Sequence, residues 1–283
     1  EVIWGFGYAS GTLTHSFELN CSMPGDYCLS GSKGGGWAGP TQEFVDAFDR
    51  ADGSPYVPDA DRFITNENVG ARDPRLAACV LYNGALWKDR ALECFEGGVD
   101  QKYMPYGSVN SPGNTVTGYY MRKLLDESNT DFQLNGSYQP WPEYRYAELQ
   151  LIKAECLAKA QDWDGARSTL SALRKARFGR EDVITAPISD WESALDAILH
   201  ERMIELCYEG QRFWDLRRTG RARATLDGKK YTGVLWKPSG AGFTAESVSA
   251  DMGARRYPDN FDRFPLPQTE ISNNTKAKQN ADW

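Results

Sequence analysis

Residues 189–220, SDWESALDAILHERMIELCYEGQRFWDLRRTG, carry the most regular pattern in the chain. Trp191, Leu195, Leu199, Met203 and Leu206 recur at steps of three and four, the spacing of one α-helical face. Ser189 followed by Glu192 fits a capping box at the start. Gly210 marks a natural stop, and Gly220 a stop for the element that follows. Arg202, Glu205 and Glu209 are spaced to pair along the same helix. Two carboxylates four residues apart invite a catalytic reading. They lie among arginines, however, and a buried or half-buried ion network is the simpler use of such a cluster. The stretch reads as structural, with Arg202, Glu205, Glu209, Arg212, Trp214 and Asp215 as its frame.

Helical order begins upstream, near Pro142. Tyr144, Ala147, Leu151, Ala154 and Ala158 form a stripe lined with small residues. After Asp162, Ala166, Leu170 and Leu173 repeat the spacing. Small residues let two helices approach closely, and Tyr144–Phe178 matches a tetratricopeptide-like hairpin, whose period is about 34 residues. One hairpin cannot bury its own apolar face, so the helix after Ser189 should pack as the next layer. The predicted fold is mostly α: tetratricopeptide-like helical hairpins with long loop-rich, partly extended insertions. One domain is expected, with a loop-rich, ligand-facing part at 1–142, a helical-repeat core at 143–220 and a loop-rich C-terminal part at 221–283.

Residues 1–6 alternate, with Val2, Trp4 and Phe6 on one side of a short strand. Gly7–Gly39 is loop-like and scattered with rings. Its run Gly34-Gly35-Gly36 lacks the Lys-Ser/Thr of a phosphate loop. Long loops in compact domains tend to be functional, and an aromatic ring can stack on the apolar C–H face of a pyranose. Trp37, Tyr27, Tyr8 and, from a second loop at 97–118, Tyr103 are the candidate glycan-binding residues. The alternative is that these rings pin the loops to the body. Thr41 caps a short helix at 41–48, and Cys79–Tyr82 reads as extended. Asp46, Asp49, Asp52, Asp59 and Asp61 do not fit an EF-hand and read as a solvated loop. Beyond Gly220 the periodicity fades. Trp236, Phe243, Tyr257 and Phe261 are assigned to loops, Phe264–Pro267 to extended chain, and the polar tail from Asn273 to the surface.

Several functions fall away. A net charge of −7 argues against nucleic acid. No apolar run is long enough to span a membrane. Six cysteines without a CxxC pair, and only His15 and His200 as histidines, argue against zinc, so no metal or cofactor is expected. An even cysteine count permits disulfides in an exported protein; Cys21 with Cys28 would close a short loop, while Cys156 and Cys207 read as buried thiols. There is no GxSxG, HExxH or kinase signature. No catalytic residue is assigned and binding without turnover is favoured, although paired carboxylates of the glycosidase kind stay open.

Glu201-Arg202, Glu205-Leu206 and the run Glu209-Gly210-Gln211-Arg212-Phe213-Trp214-Asp215-Leu216-Arg217 resemble the signature of the SusD/RagB family. So do Phe264-Pro265-Leu266-Pro267-Gln268-Thr269-Glu270-Ile271 and Gln279-Asn280 near the end. Pro40–Phe48, Asp73-Pro74-Arg75-Leu76 and Thr117–Lys123 are weaker echoes. The resemblance implies a nutrient-binding lipoprotein at the outer-membrane cell surface, which captures oligosaccharide and delivers it to a SusC-like TonB-dependent transporter. Proteins resembling SusD usually carry an N-terminal lipid-attachment cysteine and a further helical portion. The chain opens at Glu1 without either, so it is expected to be a C-terminal portion, with membrane attachment only through an anchor outside it. Two alternatives stay open: a peptide ligand, as in relatives resembling RagB, and a helical-repeat interaction module without a small ligand.

Overall fold

The computed structural model describes residues 1–26, 34–59, 62–101 and 115–283. Tyr27, Cys28, Asp61 and Tyr103 lie outside the described residues, and with them the Cys21–Cys28 pairing. The chain opens with β1 (Val2–Phe6) and three short helices, α1 (Phe17–Cys21), α2 (Gln42–Asp46) and α3 (Arg75–Cys79). Two-residue strands β2 (Val80–Leu81), β3 (Leu86–Trp87), β4 (Arg90–Ala91) and β5 (Tyr120–Met121) pair antiparallel, β2 with β5 and β3 with β4. β6 (Trp141–Arg145) returns antiparallel to β1 and runs straight into α4 (Tyr146–Lys159). Then come α5 (Trp163–Phe178), α6 (Trp191–Glu205), α7 (Gln211–Arg218) and α8 (Ala222–Leu226). A hairpin of β7 (Thr232–Ser239) and β8 (Gly242–Ser249), and finally α9 (Gln268–Asn273), complete the chain. The fold is mostly α.

The α4–α5 hairpin forms as the spacing predicts, and α6 packs on it. Ala147, Leu151, Ala154 and Ala158 of α4 meet Ala166, Leu170 and Leu173 of α5, and Ala194 and Ile198 of α6, in one apolar cluster. Alanines at the contact allow the close approach. A larger cluster lies under the loops, where Met23, Phe48, Leu76, Trp87, Tyr119, Tyr120 and Val234 converge. Ile204, near the end of α6, belongs to this second core. α6 is therefore buried on nearly every side, including Glu201, Arg202 and Glu205. It joins the two cores.

The boundaries differ from the sequence reading in informative ways. Asp190, not Ser189, caps α6: its carboxylate accepts from the Ser193 amide, and Ser193 rather than Glu192 completes the capping box. The helix ends at Glu205, short of Gly210. Arg145 Nη2 and Lys123 Nζ each donate to the Glu205 carbonyl at 2.8 Å, diverting it from the helical ladder. Tyr208 and Gly210 then turn left-handed, and Gly210 caps α7 instead. Pro142 and Tyr144 sit on β6, because pairing with β1 extends the chain before α4 can begin.

Asp46 and Asp49 are not in a solvated loop: Asp46 pairs with Arg62, and Asp49 is buried against Arg174 at 2.9 Å. The largest miss is the β7–β8 hairpin, assigned to loops along with α8 and α9. Trp236 is in fact a core residue on β7. Where β7 passes residues 115–118, Val234 N donates to Thr117 O at 2.9 Å. Gly118 has φ +75, and a Cβ there would stand 2.1 Å from Val234 O. Gly118→Ala should lower stability by at least about 2 kcal/mol, seen as a fall in the urea midpoint at unchanged m. An unchanged midpoint would mean that this crossing relaxes freely. No helix among the described residues is long and apolar enough to cross a membrane.

Candidate functional site

The frame is a layer of ion pairs centred on α6. Glu205 Oε1 lies 2.8 Å from Arg177 Nη2 and 3.2 Å from Arg145 Nη1. Its Oε2 lies 3.1 Å from Arg75 Nη1. Glu201 joins Arg75 (2.5 Å) to Arg174 (3.1 Å), and Asp73 holds Arg75 from the other side (2.7 Å). Glu209 takes Arg145 at 2.8 Å, and also Lys123. Each glutamate serves at least two cations, which offsets the cost of burying its charge. A second set joins Arg202 to Asp215 (2.7 Å) and Asp215 to Arg218 (2.9 Å), and Arg212 donates to the Leu199 carbonyl. Trp214 is not part of the interior. It sits on the outer side of α7, 54% exposed, against Phe213 and Phe264.

Burial opposes ionisation of Glu205, but the hydrogen bond and charge of Arg177, followed by Arg75 and Arg145, outweigh it and hold the carboxyl below its usual range. Asp49 is likewise lowered against burial, by His200 and Arg174. A carboxyl with a depressed folded-state value stabilises the fold fully above its unfolded value, about 4.3 for Glu and 3.9 for Asp. That stability is lost as pH falls through the folded value. Glu18, raised by burial, works in the opposite sense, costing stability as pH rises through its folded value. Urea midpoints should therefore hold level down to about pH 5 and drop steeply below pH 4. Glu205→Gln should flatten the acid limb. A limb that keeps its slope would place acid sensitivity elsewhere.

Two buried aspartates, neither singled out in the sequence, anchor the loop stems. Asp26 accepts from Trp87 Nε1 (3.2 Å), Lys88 Nζ (2.9 Å) and Ser22 Oγ. Asp100 accepts from both Arg90 amino groups (2.6 and 2.8 Å), the Glu93 amide (2.9 Å) and the Gly25 amide (3.1 Å). The last bond brings the stem before residue 27 against the stem before residue 102. The only sequence hint was a Pro-Gly-Asp turn at 24–26.

Trp37 emerges beside these stems. Gly35 N donates to Leu19 O (2.8 Å), Gly36 N to Ser22 O (2.8 Å) and Trp37 N to Asn20 O (2.9 Å). The glycine run exists for this approach: a Cβ on Gly34 would lie 2.3 Å from Ser22 O, and one on Gly35 2.6 Å from Asn20 O. The Trp37 side chain is 64% exposed on this pinned backbone. Tyr8 is half-buried, its ring meeting His15 edge-on at 4.5 Å.

Several other exposed rings contact a neighbouring ring or cation. Trp4 lies against Phe6 (5.2 Å) and Tyr144 (6.0 Å) on the β1–β6 ribbon. The Arg217 guanidinium covers Phe264 at 4.2 Å. A cleft of about 400 Å³ holds Asp49, Arg174, Ser193 and His200. It makes no triad: His200 is 3.6 Å from Asp49, but the Ser193 hydroxyl is spent on the α6 cap. Among the described residues no cluster of ligating side chains suits a metal.

The family model of the SusD family matches residues 1–283. A SusD-like protein of Formosa agariphila is 34% identical over 103 residues, covering 33% of this chain and 20% of that protein. A solved SusD-like protein of Bacteroides fragilis superposes with a TM-score of 0.78 at 25% identity, over 100% of this chain and 54% of its own. Another from that organism, described as a carbohydrate-binding protein, gives 0.74 at 24% identity, over 96% of this chain and 53% of its own. The chain spans about half the length of these solved relatives.

Proposed function

From the premise that this chain belongs to the SusD family, we propose that it binds oligosaccharide at the bacterial cell surface without turning it over. The sugar is handed to a SusC-like TonB-dependent transporter in the outer membrane, where a lipid anchor tethers the protein. Within this reading, residues 1–142 face the ligand, 143–220 form the supporting core and 221–283 close over it. Trp37 supplies the main stacking ring, with Tyr8, Tyr27 and Tyr103 as further contacts.

One observation carries the proposal: an open indole on a backbone held by three successive hydrogen bonds. A ring presented this way loses little freedom when a sugar settles on it, so more of the stacking energy appears as affinity. An exposed platform buries little area and leaves many hydroxyls solvated, so binding should be weak to moderate. Native electrophoresis through gels containing different polysaccharides tests the class. Retardation by at least one glycan is expected. Uniform mobility in every gel, with binding of a peptide pool instead, would overturn it.

A further inference from the structure

We infer that Cys79 and Cys207 form a disulfide that joins α3 to the turn after α6 and locks the ionic layer covalently. Their Sγ atoms lie 3.4 Å apart across a sequence separation of 128 residues. A disulfide is about 2.05 Å long, so a shift of roughly 0.7 Å by each sulfur closes the gap. Among the described residues no other pair of cysteine sulfurs is in contact: Cys21 and Cys94 are buried elsewhere and Cys156 is exposed.

The position gives the bond a purpose. Cys79 follows Arg75 by one helical turn, and Cys207 falls between Glu205 and Glu209. The same two backbone segments are thus joined by ions and by sulfur. Val80, Ile204 and Tyr208 share the surrounding apolar cluster. That enclosure keeps reductants out of the folded state, so a bond made during folding persists.

Formation is a two-electron oxidation by thiol–disulfide exchange with a small disulfide such as oxidised glutathione. One cysteine thiolate attacks the glutathione disulfide and releases one glutathione thiolate. The second cysteine thiolate attacks the mixed disulfide and releases the other. The two protein S–H protons end on the two glutathiones, and the only bond reduced is the oxidant's S–S bond.

The test does not depend on the ligand. The purified protein is refolded with oxidised glutathione, digested with trypsin without reduction and mapped by mass spectrometry. Cys79 lies in the fragment 76–88 and Cys207 in 203–212, each with a single cysteine, so the link is read without ambiguity. The expected result is these two fragments joined, together with a melting temperature about 5–10 °C above that of the reduced protein. Cys207→Ser should melt with the reduced wild type whether or not oxidant is present. Recovery of both fragments with free thiols, linkage of Cys79 to any other cysteine, or equal melting of the two redox forms would overturn the proposal. The mapping needs no variant, so a substitution that fails to fold does not stall it.

Discussion

Replacing Glu205 by alanine is expected to cost about 3–5 kcal/mol of folding stability, the amount typical of removing one partner from a buried ion pair. The Glu205 side chain is 4% exposed, and its loss strips Arg75, Arg145 and Arg177 of a shared acceptor. Arg75 would still have Asp73 and Glu201, and Arg145 would still have Glu209, so part of the charge stays matched. Arg177, the most exposed of the three, keeps Glu1 and can also turn to water. These refuges argue for the lower part of the range. Glu205→Gln keeps the shape and one acceptor oxygen, and should fall between wild type and alanine. Urea unfolding at pH 7 decides the matter. A loss under about 1 kcal/mol would show that the remaining acids and solvent absorb the charges, and that the layer is not a keystone.

Trp37→Ala should do the reverse, removing binding while leaving stability in place. A tryptophan at the centre of a small contact is commonly worth about 2 kcal/mol or more, near 30-fold in affinity. Retardation in the responsive polysaccharide gel should all but vanish. The ring is 64% exposed, so the melting temperature should move by no more than about 2 °C. Trp37→Phe should retain part of the binding through its smaller face. Full retardation by Trp37→Ala would keep a glycan receptor but move its contact to another ring, with Trp4 and Tyr144 the next to substitute.

What was legible before the structure follows from where the apolar faces lie. α5 buries a regular stripe, and Leu195 and Leu199 of the stripe read on α6 are interior, so their three-to-four spacing shows in the bare sequence. β7 and β8 lack the alternation that betrays a strand. Val234, Leu235 and Trp236 are consecutive buried residues, so this stretch of β7 has no polar side, while β8 is exposed along most of its length and has no buried one. Pro238 and the Gly240–Ala241 turn added loop-like composition to both. For the frame, Glu205 and Glu209 could be recognised as members of a network, but Arg75 and Arg145 could not be named as their partners. Nothing local links residues so far apart. Trp37 was legible as a ring in a loop. Its support was not, because the zipper to residues 19–22 and the Asp100 anchor are visible only once the chain has closed on itself.

The ionic layer also says something about the order of events as the chain is made. Glu201 and Glu205 meet Arg75 across 126 and 130 residues, and Arg174 meets Asp49 across 125. During synthesis the segment bearing Asp49, Asp73 and Arg75 must wait, its charges hydrated and its apolar neighbours uncovered, until α6 has been added. Contacts of such span make folding slow and leave the early chain open to aggregation. For a protein built this way, the ionic layer can close only once α6 is complete, and the core beneath the loops only once β7 has followed it.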